Sequence, residues 1–459
     1  MGDRARRATF SIAGATLGVY ILIMAGATTA ITEAANTCST WPTCNGQWLV
    51  PLDDPQLLIA WGHRVIAFLV AGLVISAVIF GWRASQQRRV RGALVFGLAL
   101  YPFQAALGAY TSVNGPTAVA SGIHLTVAMT IFGTLVLALT WTLNEFNAST
   151  EARAVTRTAE PSREPNEHPG FDGLFGTLRA YITLTKPRLM WLLCLVAAAG
   201  MALAAGRELT LSTAIATLVG GVLAIGASGT FNHVLERDVD RRMQRTADRP
   251  LATDTVGVRR AMAFGTLLAV GAVATFFTIN LLAAVLGLAA IAYYSVIYTL
   301  VLKPNTVQNT VIGGVAGSFP AVIGAAAATN TIGLPALLLA GVIFLWTPAH
   351  FYNLALAYQE DYERGGFPMM PVVKGEATTY RHILLYLAAT LIATALLSAV
   401  GGLGPLYALV SVVFGAVFLW MVVRLHLDRT RRAALRSFHA SNAYLGAVLL
   451  AIVIDALAV

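Results

Sequence analysis

Thirteen apolar runs, each close to the ~20 residues a helix needs to cross a hydrocarbon core, recur from one end of this chain to the other. They fall at residues 10–31, 57–80, 92–110, 120–141, 189–205, 211–231, 261–279, 281–302, 307–328, 332–351, 382–400, 403–423 and 440–458. In lipid the backbone has to satisfy its own hydrogen bonds, and runs of this length do so as helices. Composition agrees: 57% of the 459 residues are hydrophobic and 12% are charged, whereas a soluble domain carries about a quarter charged residues. The expected fold class is an all-α integral membrane protein of about 13 transmembrane helices, with the lipid bilayer as its first partner.

A net charge of +9 raises nucleic acid as a ligand, so the placement of the basic residues has to decide. With Met1 in the cytoplasm, that side receives Arg4, Arg6 and Arg7, the basic residues within 83–91, 153–188 and 237–260, Lys303, and those within 364–381 and 424–436. Of 31 Lys and Arg, only Arg64 and Arg207 fall at the opposite face, which is the asymmetry that orients short loops during insertion. The charge is topological, and no nucleic acid is expected. The expected localisation is a multi-pass cell-membrane protein with its N-terminus, linker and acidic loops cytoplasmic and its C-terminus outside. The first run follows a short basic start, as a signal peptide does, but it is too long and has no convincing small-residue cleavage site, so it reads as a retained helix.

Residues 147–173 are polar, rich in Pro and Ser, and lack apolar periodicity, as a flexible linker does. They separate four apolar runs from nine. The expected organisation is a four-helix membrane domain over 1–146, a cytoplasmic linker over 147–178, and a nine-helix domain over 179–459. Of three cysteines, Cys38 and Cys44 share the first outward loop, where an oxidising compartment permits a disulfide; two free thiols is the alternative. Cys194 lies within an apolar run and reads as packing.

Ionisable residues crowd one helix end in the second domain, in GASGTFNHVLERDVDRRMQRTADRPL over 226–251, and such residues beside a membrane are usually functional. Asn232, Glu236 and Asp240 are four apart, so on a continued helix they fall within about 80° of one face. Three oxygen-bearing side chains on one face suit magnesium, which is commonly held by one or two carboxylates together with substrate phosphate. Asp238 points elsewhere on the same helix. Arg237, Arg241, Arg242, Arg245 and Arg249 offer fork-shaped donors that match phosphate oxygens. The alternative is a solvated, self-neutralising loop held by ion pairs.

A second acidic segment, LWTPAHFYNLALAYQEDYERGGFPMMPVVKG over 345–375, sets His350, Asn353, Glu360 and Asp361 beside a membrane end on the same side. Two carboxylate clusters facing one another can hold a diphosphate through magnesium. Lys303 ends the eighth run on that side, either as a phosphate contact or as a topology-setting lysine. Tyr293, Tyr294 and Phe351 either stabilise a cation through their ring faces or serve as ordinary interface aromatics. His350 either contacts substrate or makes a helix-end hydrogen bond.

These segments resemble the UbiA-type intramembrane prenyltransferases. The family's Asn and two acids in four-residue steps match Asn232, Glu236 and Asp240. The haem-farnesylating branch, the haem O synthases, is matched further through Asp238, Met243, Arg245, Thr246, Arg249 and Pro250, and through LWTPAHF, DYERGGFPMMPVVKG and YTLVLKPNTVQNTVIGG. Two departures stand out: Glu236 replaces the commoner Asp, and Pro304 stands where a basic residue often follows the lysine. The resemblance covers residues 179–459 and implies a nine-helix bundle that transfers the farnesyl group of farnesyl diphosphate to a vinyl group of protohaem IX. It implies catalytic roles for Asn232, Glu236, Asp238, Asp240 and Asp361, with Mg2+ on Asn232, Glu236, Asp240 and Asp361. Substrate contacts are implied for Arg237, Arg241, Arg245, Arg249, Lys303, His350 and Asn353. A quinone precursor or other lipid as acceptor is one rival. A transporter or haem electron-transfer protein is another, and would set carboxylates near mid-membrane.

In the first domain His63 and His124 sit at matching depth, each near the outer start of an apolar run. Two imidazoles facing each other within four helices can ligate a haem axially; a plain hydrogen bond at the membrane interface is the alternative. WGHRVIAFLVAGLV, FQAALGAYTSVNG, GIHLTVAMTIFGTLV and the Cys38–Cys44 loop resemble one half of the haem A synthases. The resemblance implies haem binding by His63 and His124, or a part in converting haem O to haem A. Ala60 stands where that family has an acid three residues before the first histidine, and the second half is missing. A homodimer or a haem A synthase partner would restore eight helices.

Overall fold

A computed structural model of the chain describes residues 3–85, 87–151 and 173–458; residues 152–172, which make up most of the linker segment, lie outside the described residues. Among the described residues there is no strand beyond one isolated bridge between Cys44 and Gln47. Among the described residues thirteen helices are long and apolar enough to cross a membrane, and they overlap the thirteen apolar runs one for one.

In chain order the helices are α1 Asp3–Ile31, α2 Pro55–Ala84, α3 Arg88–Asn114, α4 Ala118–Glu151, α5 Gly173–Leu184, α6 Pro187–Ala205, α7 Leu211–Leu235 and the short α8 Arg237–Asp240. There follow α9 Val258–Phe277, α10 Leu281–Ala292, α11 Lys303–Asn305, α12 Asn309–Thr329, α13 Leu334–Ala357, α14 Gln359–Gly365 and α15 Met370–Lys374. The last three are α16 Glu376–Gly401, α17 Pro405–Asp428 and α18 Arg431–Ala458. The chain forms two compact units, one of Met1–Thr156 with Tyr380–Arg429, the other of Arg157–Thr379 with Thr430–Val459.

In the first unit α1 runs along α2, and Gly18 leaves room for Val70. Asp54 caps α2 by accepting from the backbone N–H of Gln56 and Leu57, with Pro55 at the first helical position. Threonines inside the helices return their hydroxyls to carbonyls four residues back, as Thr9 does to Ala5 and Thr16 to Ile12, so no polar group faces an apolar neighbour unsatisfied at those points. Residues 380–429, grouped by sequence with the second domain, pack in this unit. There Phe10 of α1 stacks on Trp420 of α17 with ring centroids 5.6 Å apart, and the Tyr407 hydroxyl donates to the Thr394 carbonyl between α17 and α16.

In the second unit α6 and α12 meet through a reciprocal pair of glycines. A methyl on Gly200 would run into the Ala321 carbonyl oxygen, and one on Gly324 into the Ala197 carbonyl oxygen, so the backbones approach as closely as small residues permit. Phe276 of α9 fills the space left by Gly220 and Gly287. Asn280 caps α10 through the Ala283 N–H and gives its amide to the Ala326 carbonyl of α12. The eighth run is not uniform: after Ala292 the chain widens into a π-helical segment, Tyr293–Leu302. The last helix begins at Arg431, nine residues before its apolar run, with Ala433, Ala434 and Ser437 buried along one face of its first two turns; farther along, the Trp346 indole donates to the Ser441 carbonyl.

Candidate active site

Helix α7 ends at Leu235, yet its hydrogen-bond ladder continues: the Glu236 N–H donates to the Asn232 carbonyl at 2.9 Å and the Asp240 N–H to the Glu236 carbonyl at 2.8 Å. The four-residue spacing therefore keeps its helical meaning across the junction into α8. Asn232, Glu236 and Asp240 are 2%, 5% and 3% exposed, and buried oxygens of this kind need partners. Each has a cation. Lys186 donates to the Asn232 side-chain oxygen, Lys303 to Glu236, and Arg249 Nη1 lies 2.9 Å from both oxygens of Asp240.

Lys186 and Tyr294 hold roles here that the sequence reading did not give them. Lys186 occupies the cap of α6 in the left-handed conformation, φ 56°, a strained setting for a side chain of this type and one that clusters at functional sites. Its ammonium reaches the Tyr294 hydroxyl at 3.3 Å. The π-helical turn supplies the other contact. Thr299 donates back to the Tyr294 carbonyl at 2.8 Å and accepts from the Asn232 amide at 3.2 Å, an extra residue per turn having rotated both toward α7. The one cue in sequence was a lysine directly before a helix-starting proline.

Asp361, on α14, is 5% exposed and engaged differently. Its oxygens accept from the backbone N–H of Gln244 and Arg245 at 3.0 and 3.1 Å and from Arg364, so the carboxylate pins the loop after α8. Tyr362 follows it into a packed cluster with Met243, Phe367 and Met369. Phe367 lies under Lys303, whose Nζ is 4.4 Å from the ring centre.

The remaining sequence candidates fall elsewhere. Asp238 is exposed and paired with Arg237 and Arg241, which also reach Asp254, on the outer side of α8. The Arg245 guanidinium lies over Tyr358 and Tyr362, 5.2 and 5.8 Å from their ring centres. His350 stacks between Trp346 and Phe438 and hydrogen-bonds Ser441 at 2.7 Å, a helix-packing role between α13 and α18. Asn353 is buried and gives its amide to the Ala349 carbonyl. Tyr293 donates to the Ile312 carbonyl, and Phe351 packs on Tyr362.

Charges at the site bias one another. Burial alone would raise the Glu236 carboxyl, but the ammonium groups of Lys303 and Lys186 outweigh it and hold the acid below its ordinary range. Burial, aided by the Arg249 charge, lowers Lys186 to about 8. Asp361 is likewise raised by burial and brought below its usual range by Arg364 and the two backbone donors. Beside Lys186 and Tyr294 opens an apolar pocket walled by Leu189, Leu193, Leu218, Phe276, Ile291 and Ile323. The residues thus offer oxygen donors, cations and an adjoining greasy cleft. Among the described residues no three His, Cys, Asp or Glu converge as a closed metal site. The donor set of two carboxylates and an amide fits magnesium completed by phosphate oxygens.

In the first unit, Nδ1 of His63 and Nδ1 of His124 are buried without a protein hydrogen-bond partner. Gly26 and Gly108 each leave room for one of these imidazole edges, 3.3 and 3.2 Å from where a Cβ would stand. Next to them Arg64 donates to the Thr40 and Thr43 carbonyls and to Ser112, fixing the loop in which Cys38 and Cys44 are joined as a disulfide. Unpartnered imidazole nitrogens in an apolar bundle fit axial ligation of a haem.

Comparison with known proteins agrees with both halves. The UbiA prenyltransferase family matches residues 192–446, and a cytochrome oxidase assembly protein family matches residues 9–163. A protoheme IX farnesyltransferase of Halobacterium salinarum is 55% identical over 98% of this chain and 97% of its own length. One from Haloarcula marismortui is 56% identical over 99% of each. Among solved structures, a digeranylgeranylglyceryl phosphate synthase aligns with TM-score 0.52 at 15% identity, over 62% of this chain and 99% of that one, which speaks to the fold alone.

Proposed function

The chain belongs to the UbiA prenyltransferase family, among its protoheme IX farnesyltransferases, and on that basis we propose which of its residues do the chemistry. The enzyme transfers the farnesyl group of farnesyl diphosphate to a vinyl group of protohaem IX, giving haem O. The donor site of our reading is Lys186, Asn232, Glu236, Asp240, Arg249 and Lys303, with the farnesyl chain in the adjoining apolar pocket.

Magnesium, held by Asn232, Glu236 and Asp240 with Asp361 as the fourth candidate, supplies Lewis-acid neutralisation of the leaving diphosphate when bound. Lys186, Lys303 and Arg249, already fixed among these oxygens, stabilise the charge that builds on the diphosphate as the allylic C–O bond breaks. The bonding pair leaves with the diphosphate. The pocket walls keep water from the farnesyl cation until the terminal vinyl carbon attacks it. The new C–C bond leaves a cation on the carbon next to the porphyrin, which takes up water and releases a proton to give the hydroxyethylfarnesyl group. The observation that carries this assignment is the buried row Asn232, Glu236, Asp240, each matched to its own cation beside an apolar cleft. Purified protein with magnesium, farnesyl diphosphate and haem tests it by chromatography of the extracted haem. Farnesylated haem is expected; prenylation of a quinone precursor in its place would overturn it.

For the amino-terminal bundle we propose that His63 and His124 hold a haem axially, supported by their unpartnered buried nitrogens. Oxidation of haem O to haem A would call on four further helices from a second copy of this chain or a haem A synthase. The basic residues argue for a cytoplasmic donor site and an external C-terminus.

A further inference from the structure

We propose that Arg245 and Arg431, gathered over the ring of Tyr358, bind the two propionates of the haem acceptor and so aim its vinyl edge at the donor site. Their guanidinium carbons lie 5.2 and 4.9 Å from the Tyr358 ring centre. Among the described residues neither is paired with a carboxylate, whereas Lys303 pairs with Glu236, Arg249 with Asp240, Arg364 with Asp361, and Arg237 and Arg241 with Asp254.

Both guanidiniums lie over one ring, and a ligand bearing two carboxylates offers each of them an anionic partner. Stacked on an aromatic face, a guanidinium keeps its edge free, and that edge matches a carboxylate with two parallel hydrogen bonds. The diphosphate is not the natural occupant. Its cations are Lys186, Lys303 and Arg249, which hold Asn232, Glu236 and Asp240, whereas the Arg245 guanidinium lies over Tyr358 and Tyr362. Haem is a dianion at one edge and carries its vinyl groups on others, so an acceptor held by its carboxylates presents a vinyl away from them. The connection to the donor site is rigid. Tyr362 under Arg245 packs edge-on against Phe367, and Phe367 lies under Lys303, which holds Glu236. The proposal rests on farnesyl transfer to haem, and adds where the acceptor is gripped.

The test compares haem with its dimethyl ester, in which both propionates are capped, in the full-length protein with magnesium and farnesyl diphosphate. The wild type should use haem at least about tenfold better in kcat/KM, the range expected for a charge-assisted pair. Arg431→Ala should lose that preference through a raised KM for haem, while its KM for farnesyl diphosphate and its turnover of the ester stay at wild-type values; Arg431→Lys should recover part of the preference. Equal losses on haem and ester, or a shift in the KM for farnesyl diphosphate, would overturn the assignment. Product from neither acceptor in the wild type would remove the transfer reading itself, and the proposal with it.

Discussion

Lys186 carries a charge its surroundings barely sustain, since burial and then the Arg249 charge bring it from 10.5 to about 8. The folded protein therefore releases this proton at a lower pH than the unfolded chain. Below pH 8 folding carries the penalty of burying the ammonium, and that penalty fades between 8 and 10.5. Function runs the other way, because the neutral amine no longer attracts diphosphate. The KM for farnesyl diphosphate should rise above pH 8, and Lys186→Arg should move that rise upward; a wild-type KM that stays flat from 8 to 10.5 would exclude the lysine from the donor site. Asp240→Asn removes the charge that Arg249 grips and one of the two carboxylates of the magnesium set. Turnover should fall by about 100-fold or more in protein that still elutes as a single folded species. Unchanged turnover would take Asp240 out of the site. The Asn232, Glu236, Asp240 row was legible because i, i+4 spacing is local geometry, and the same arithmetic put Asp238 on another face. Lys186 was not, since its partner lies 46 residues away and only the tertiary fold makes them neighbours.

At the level of elements, apolar length alone located the helices, but not how any of them deviate or dock. The π-helical turn after Ala292 left no mark in hydropathy: YYSVIYTLVL reads as an ordinary span, although in the fold the Thr299 hydroxyl reaches the Tyr294 carbonyl five residues back. Helix ends were not legible where polar turns continue a helix beyond its apolar run, as at Arg431. The α6–α12 contact is another case, because Gly and Ala are scattered through every span and only the fold singles out Gly200 and Gly324. Gly200→Ala should strike the Ala321 carbonyl and lower stability by about 1–3 kcal/mol, the usual penalty for overpacking. Thermal unfolding in detergent reads this directly. Gly341→Ala on α13, where an added methyl meets nothing within 4 Å, is the control and should unfold at the wild-type temperature or above; equal effects from the two would mean that close α6–α12 packing is not the cause.

Across the whole molecule, two kinds of haem chemistry are assigned to side chains in different compact units: the donor site to the unit of Arg157–Thr379 and Thr430–Val459, the imidazole pair to that of Met1–Thr156 and Tyr380–Arg429. A haem on the imidazoles is therefore expected to be structurally dispensable for farnesyl transfer, even though one chain carries both. Purified wild-type protein should show the reduced spectrum of a six-coordinate bis-histidine haem. His63→Ala and His124→Ala should each lose it, because one remaining imidazole leaves the iron with an open position. Both variants should form farnesylated haem at the wild-type rate from added haem and farnesyl diphosphate. A wild type without the bis-histidine spectrum would end the ligand assignment. Loss of farnesyl transfer in either variant, with the protein still folded, would instead mean that the acceptor reaches the donor site by way of these histidines, making the amino-terminal bundle the loading station of the transferase.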